Sequence, residues 1–64
     1  MTPEQRGAWV KLNPDHYAPA TGVAQDATAS WRRLGFPPAL AHAAALAAAD
    51  LYIVTVDYAK GSKK

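Results

Sequence analysis

Cysteine is absent from this chain of 64 residues. Neither a disulfide framework nor a thiolate metal site is therefore possible, and packing or association must stabilise the fold. The two histidines, His16 and His42, do not have the His-x-x-x-His spacing that places two ligands one helical turn apart. The sequence predicts no metal site and no cofactor.

Patterns typical of catalysis are also scarce. The cluster formed by Asp15, His16 and Tyr17 contains a base and a hydroxyl group, but no serine or cysteine has an assignable base beside it. A chain of this length leaves little room for a pocket that excludes water, and an aspartate at the start of a turn is typical of a cap. We therefore expect a protein that is not an enzyme. His42 and Asp50 are expected to be solvated on the outer side of a helix.

Charge is low as well, with 19% charged residues and a formal net charge of +2. This weak positive charge permits contact with nucleic acid but does not argue for it. The amino terminus has no charged segment followed by an apolar one, so we expect no secretory signal and a cytoplasmic protein. The length predicts one small domain, residues 1–64, with marginal stability of its own.

The longest apolar stretch, residues 37–60, dominates the chain. Two prolines, Pro37 and Pro38, suit a helix start, because proline presets φ and lacks an N–H that the first turn would leave unbonded. Residues 39–49 are alanine and leucine with one histidine, a composition of very high helix propensity. The stretch predicts a helix over about 38–59, with Gly61 as its stop.

Six residues of this predicted helix follow one another in alternating steps of four and three, which places them on one side. We call this row the seam: Leu40, Ala44, Ala47, Leu51, Val54 and Tyr58. An alternative interpretation divides the stretch. Residues 51–58 are rich in β-branched and aromatic side chains that alternate in type, which would suit a strand in an α+β fold.

Two shorter helices are predicted before the long one. The first covers about 3–12, where Thr2 and Gln5 have the spacing of a capping box. The second covers about 22–34, with Thr21 as a possible cap and Gly35 as a left-handed terminating residue. Phe36 is then expected to fold back on Trp31. The sequence thus predicts a small all-α protein of three helices.

The seam is longer than two short helices can easily cover. Five larger side chains are expected to cover part of it: Trp9, Leu12, Trp31, Leu34 and Phe36. We expect the rest to contact a second chain, so the predicted protein interface is the seam together with Trp31 and Phe36. The function that fits best is protein–protein interaction or self-association into an oligomer. Such a chain would be an accessory or structural subunit, or a small phage-type regulator.

A second functional class comes from residues 30–38, Ser-Trp-Arg-Arg-Leu-Gly-Phe-Pro-Pro. This run resembles the end of the recognition helix in small winged or MerR-like helix-turn-helix modules, and residues 21–23 (Thr-Gly-Val) and Thr28 partly match the preceding turn and helix. The resemblance implies DNA binding, with Arg32 and Arg33 contacting phosphate or guanine. The same arginines also suit an ordinary helix end, where cations favour the helix dipole.

A membrane span is the third interpretation. Residues 37–56 have the length that crosses a bilayer, and lysines follow them, as at a cytoplasmic end. Asp50 opposes this interpretation, because an aspartate near the centre of a span costs at least about 2.5 kcal/mol. A single-span membrane subunit therefore remains as the second alternative.

Overall fold

A computed structural model describes residues 1–62. It contains three α-helices in that range, α1 at Pro3–Leu12, α2 at Tyr17–Arg33 and α3 at Pro38–Ser62, and a 3₁₀-helical turn at Pro14–His16. The predicted all-α fold is confirmed, and no strand occurs in the described range. The alternative strand at 51–58 is wrong, because these residues continue the alanine-rich helix before them and no other strand is present there to pair with.

Helix α1 begins where local side-chain chemistry predicts. The Thr2 side chain accepts a hydrogen bond from the Gln5 backbone N–H at 3.1 Å, and the Gln5 side chain accepts one from the Thr2 N–H at 2.8 Å. This reciprocal pair satisfies two N–H groups that the first turn leaves unbonded. The helix ends before Pro14, since the residue that precedes a proline disfavours helical geometry.

Helix α2 begins five residues earlier than the predicted 22–34. It starts at Tyr17, directly after the 3₁₀ turn, so Thr21 lies inside the helix and does not cap it. Pro19 is the third residue of α2, a position whose N–H would have no partner within the helix, and proline is tolerated there. Residues 17–21, which lie before the predicted helix, are therefore helical as well.

The end of α2 agrees with prediction in detail. Gly35 has a positive φ of 96°, which is unfavourable for residues with a Cβ. The Gly35 N–H donates to the Arg32 carbonyl at 3.0 Å, and the Phe36 N–H donates to the Trp31 carbonyl at 3.2 Å. These two bonds define a Schellman ending. The Phe36 ring packs on Trp31 with their centroids 4.9 Å apart.

Helix α3 is longer than the predicted 38–59, because it passes through Gly61 and ends at Ser62. Gly61 does not adopt the positive φ of a helix-terminating glycine. The helix has 25 residues, and this length explains the elongated shape of the molecule, 43 × 22 × 18 Å.

The core lies between α2 and α3, which pack side by side and are joined by a short connection. The buried apolar residues are small, with a single larger member: Ala20, Ala41, Ala45, Ala49 and Ile53. Four of them recur every fourth residue along α3. Small side chains at this spacing let the α2 backbone approach α3 closely, although each buries little apolar area.

The buried side of α3 is the side opposite the seam, which corrects one expectation. Ile53, which is not a seam residue, is 0% exposed, whereas the seam residues Leu51 and Val54 are 68% and 56% exposed. Leu12 and Leu34 do not cover the seam, since both are largely exposed themselves. Helix α2 packs against the row formed by Ala41, Ala45 and Ala49. The larger side chains of the seam would hold two helices farther apart.

Candidate interaction surfaces

The seam forms an exposed apolar surface along α3. Leu40, Leu51, Val54 and Tyr58 are exposed, as is Ala47, and Ala44 is half-buried. From the first to the last seam residue the row extends about 27 Å along the helix axis. The structure therefore leaves most of the predicted interface accessible in the single chain.

No charged side chain interrupts this surface. Between residues 38 and 59 the only charged residues are Asp50 and Asp57, which flank the seam and are hydrogen-bonded to Arg6 and Trp9 of α1. Thr55, beside the seam, donates its hydroxyl to the Leu51 carbonyl of the same helix at 2.7 Å. The Thr55 hydroxyl therefore already has an acceptor within α3, and a partner that covers the seam would not bury an unpaired charge.

The other two predicted interface residues lie at the connection between α2 and α3. Trp31 and Phe36 are both partly exposed, and their rings contact each other. Phe36 lies in the connection, four residues before the first seam residue, Leu40. The aromatic pair thus sits near the amino-terminal end of the seam along the chain.

A row of polar contacts, which we call the clasp, attaches α1 and the 3₁₀ turn to α3. The Arg6 guanidinium donates to the Asp50 carboxylate at 2.8 and 3.3 Å, and the Trp9 indole N–H donates to Asp57 at 2.9 Å. Further along, the Lys60 ammonium donates to the Asn13 side-chain oxygen at 2.6 Å. Helix α1 has no buried residue, so these polar contacts make a large contribution to its position.

His16 belongs to the same clasp. Its Nδ1 lies 2.7 Å from the Tyr52 hydroxyl, and its ring packs between those of Trp9 and Tyr52, with centroids 5.5 and 5.8 Å away. Of the Asp15, His16 and Tyr17 cluster, the first two residues lie in the 3₁₀ turn and Tyr17 begins α2, and His16 contacts an aromatic side chain of α3. Sequence reasoning missed these partners, which lie 36 to 48 residues away along the chain.

Asp50 makes the ion pair of the clasp, with Arg6. The prediction that Asp50 is solvated on the outer side of the helix is therefore wrong. The hydrogen bond and charge of Arg6 lower the pKa of Asp50 below its ordinary value of 3.8, and the amino-terminal charge of Met1, 3.9 Å away, acts in the same direction. The same hydrogen bond raises the pKa of Arg6. The ionised pair is therefore the form that the fold favours.

Acidification is expected to weaken the clasp in a defined pH range. A carboxylate whose pKa is lowered by folding stabilises the fold fully above its unfolded pKa of 3.8, and this contribution is lost as the pH falls through the folded value. Asp50→Asn should cost about 1 kcal/mol or less at about pH 6 and almost nothing near pH 2. Urea unfolding of both proteins at each pH measures this difference.

The matched control for that experiment is Asp26→Asn on the exposed side of α2. It makes the same chemical change away from the clasp and should not alter the pH dependence. A cost of Asp50→Asn that stays constant from about pH 6 to about pH 2 would contradict the assigned role of the pair.

Between α1 and the α2–α3 pair lies an open groove of about 630 Å³. Its lining is mostly apolar, with Val10 from α1, Ala20 and Ala24 from α2, and Leu46 and Ile53 from α3. The polar side chains in the lining include the hydroxyls of Thr21 and Thr28 and the imidazole of His42. Within residues 1–62 no group of His, Asp and Glu side chains is arranged to bind a metal.

Arg32 and Arg33 lie in the last turn of α2 and are exposed. The turn that the helix-turn-helix resemblance implies at 21–23 is not present, because these residues are in the middle of α2. The chain continues after Pro38 as the long helix α3. The two arginines are thus accessible cations at a helix end, without the preceding turn that would position a recognition helix.

One helix in the described range is long and apolar enough to cross a membrane by length and composition. It is Pro38–Gly61, with 24 residues and a mean hydropathy of 1.7, and 22% of its most apolar window is buried within the protein. Core helices of soluble proteins can meet the same two criteria, so this finding is weak by itself.

Comparisons with protein families, with curated proteins and with solved structures give no match for this chain.

Proposed function

We propose that this chain is a non-enzymatic protein that binds protein through the seam of α3, extended at one end by Trp31 and Phe36. It would serve as an accessory or structural subunit of an assembly, or as a small regulator, in the cytoplasm. The observation that carries the proposal is the exposed side of α3, which is apolar, uncharged and about 27 Å long. Exposed apolar patches of such extent are typical of interaction sites.

The small core gives a second reason. Four of the five buried apolar residues are alanines, and a chain of 64 residues buries only about 60% of its unfolded surface. Association that covers Leu51 and Val54 would add the apolar burial that the single chain lacks, and binding to the folded state raises its stability by mass action. The seam therefore supplies both a contact surface and a source of stability.

Ala47→Glu tests this proposal. Glutamate at an exposed helical position keeps the helix, because its intrinsic propensity is high, but it introduces a charge at the centre of the seam. With a photo-crosslinking residue at Leu51, cells producing the chain should yield a protein adduct, and Ala47→Glu should reduce that adduct at least about tenfold, as expected for an unpaired charge in an apolar contact. Circular dichroism verifies that helicity is unchanged.

The control is Ala29→Glu, which makes the same substitution at an exposed position of α2 and should leave the adduct intact. Two results would overturn the proposal: a full adduct yield from Ala47→Glu, or no protein adduct from the parent chain.

A single-span membrane subunit is the second candidate, favoured by the length and hydropathy of Pro38–Gly61. In that case the seam would contact lipid, and the purified chain would require detergent. Flotation with vesicles of neutral phospholipid separates the two candidates, because a protein-binding chain stays in the aqueous fraction whereas a spanning chain floats with the vesicles. Arg32→Ala combined with Arg33→Ala removes cations from another surface and should not change either result.

A further inference from the structure

Helix α1 contributes nothing to the core of the protein. The buried apolar residues in the described part of the chain all belong to α2 or α3. On α1, Trp9 and Val10 are half-buried at most, and Leu12 is 82% exposed. The open groove of about 630 Å³ lies between α1 and the α2–α3 pair. Apolar burial therefore holds α2 against α3 but does little to hold α1.

The contacts of the clasp that attach α1 to α3 are polar and accessible to water. The side chains of Arg6 and Asp50, which form the ion pair, are 18% and 27% exposed. The hydrogen bond from the Trp9 indole to Asp57 is exposed as well. Such contacts add little net stability, because water competes for the same groups and salt screens the charges. Less free energy therefore keeps α1 in place than keeps α2 packed on α3.

The junction between α1 and the 3₁₀ turn has the features of a hinge. Asn13 is the one residue between these two elements, and its φ of −132° and ψ of 65° are not helical. The Asn13 N–H and side chain donate to carbonyls at the end of α1, whereas its own carbonyl accepts from the His16 N–H. The next residue, Pro14, has no N–H that could bond back to α1. A rotation at Asn13 can therefore move α1 while the turn and α2 stay in place.

On release from α3, helix α1 is expected to lose its helical form. It has only 10 residues, and Gly7 lies in its middle. Isolated helices shorter than about 12 to 15 residues are marginally stable in water, and an interior glycine destabilises them further. Release would therefore open the backbone hydrogen bonds of α1 to solvent. Hydrogen exchange of the α1 amides reports this event directly.

We infer that α1 is a strap that opens about Asn13 while α2 and α3 remain packed, and that the clasp controls this opening. With the strap closed, Val10 of α1 shares the groove with Ala20 and Ile53. With the strap open, the walls of the groove on α2 and α3 lose the cover that α1 provides. Salt, or a change at a clasp residue, shifts the balance between the two states.

This inference goes beyond the proposed function, because it concerns a different surface. The α3 residues that line the groove include His42, Leu46 and Ile53, and no seam residue is among them. The strap therefore covers a second apolar surface of α3, and its opening does not depend on what the seam binds.

Residue-resolved hydrogen exchange of the whole chain, corrected for intrinsic rates, tests the inference. The amides bonded within α1, at residues 7–12, should exchange at least about tenfold faster than those of Ala45, Ala49 and Ile53, since local opening requires less free energy than global unfolding. Raising sodium chloride from about 0.05 M to about 1 M should speed exchange in α1 about two- to fivefold, because salt screens the ion pair. Exchange at Ile53 should remain nearly unchanged.

Substitutions of the ion pair test control by the clasp. Arg6→Gln and Asp50→Asn should each speed exchange in α1 about two- to fivefold, and the double variant should match the single ones within about twofold, since the two side chains act as one pair. Lys11→Gln is the matched control, because it replaces a cation of α1 outside the clasp, and it should leave exchange in α1 unchanged. Retained protection at Ile53 in the same spectra verifies that each variant is folded.

Two results would overturn the inference. Exchange of the α1 amides at the same rate as the α3 core amides would mean that the chain opens as one cooperative unit, without a strap. Fast exchange in α1 that salt, Arg6→Gln and Asp50→Asn all leave unchanged would mean that the clasp does not control the opening.

Discussion

Ile53→Ala is expected to lower the free energy of unfolding by about 2–5 kcal/mol, the range measured when a buried isoleucine or leucine is truncated to alanine. Ile53 is the largest fully buried side chain in residues 1–62, and its neighbours in the core are alanines, which have no flexible groups to fill the space left behind. A domain of this size has a total stability of about 3–10 kcal/mol. The loss is therefore a large fraction of the total stability.

Urea unfolding followed by far-ultraviolet circular dichroism measures this loss. Both proteins are compared at one concentration, because association of a folded chain would add to its apparent stability. Leu34→Ala is the control, since it removes a side chain of the same size at a position that is 73% exposed, and it should cost less than about 0.5 kcal/mol. Equal unfolding midpoints for the two variants would show that the assigned core is wrong.

Ala41→Leu is expected to destabilise the fold by about 1–3 kcal/mol through overpacking. Ala41 is 0% exposed on the side of α3 that packs inside the molecule, and it does not border the open groove. The larger side chain must push α2 away from α3 or adopt a strained rotamer. For a domain of this size, each kcal/mol corresponds to a shift of about 4–8 °C in the unfolding temperature.

The control for this second prediction is Ala39→Leu, two positions earlier on an exposed part of α3. Alanine and leucine have similar helix propensities, so the control should leave the unfolding temperature nearly unchanged. An unfolding temperature for Ala41→Leu that equals or exceeds that of the parent chain would mean that α2 and α3 are not in close contact at this level.

Features that depend on neighbouring residues were predictable. The capping box of Thr2 and Gln5, the left-handed Gly35 and the packing of Phe36 on Trp31 all involve contacts within five positions along the chain. The choice between helix and strand at 51–58 was harder, because β-branched residues favour a strand locally. Continuity with the alanine-rich segment and the lack of a pairing partner in the described range decided it.

The start of α2 was missed for a related reason. The predicted cap, Thr21, has suitable chemistry, whereas the residue at the actual N-cap position, His16, makes no side-chain capping bond. The helix can begin at Tyr17 because the 3₁₀ turn leads directly into it, and because Pro19 falls where a missing N–H costs nothing. A turn that is continuous with a helix leaves little signal in the sequence.

The sequence by itself determined that this protein is built of helices, where α1 begins and where α2 ends, because these properties arise from propensities and hydrogen bonds between near neighbours. Only the tertiary structure decided which side of α3 is buried. Apolar residues occur on every side of that helix, so periodicity alone pointed to the row with the larger side chains as the packing side. The fold instead buried the alanine row and Ile53, since close approach of α2 requires small side chains, and it left the seam available for a partner.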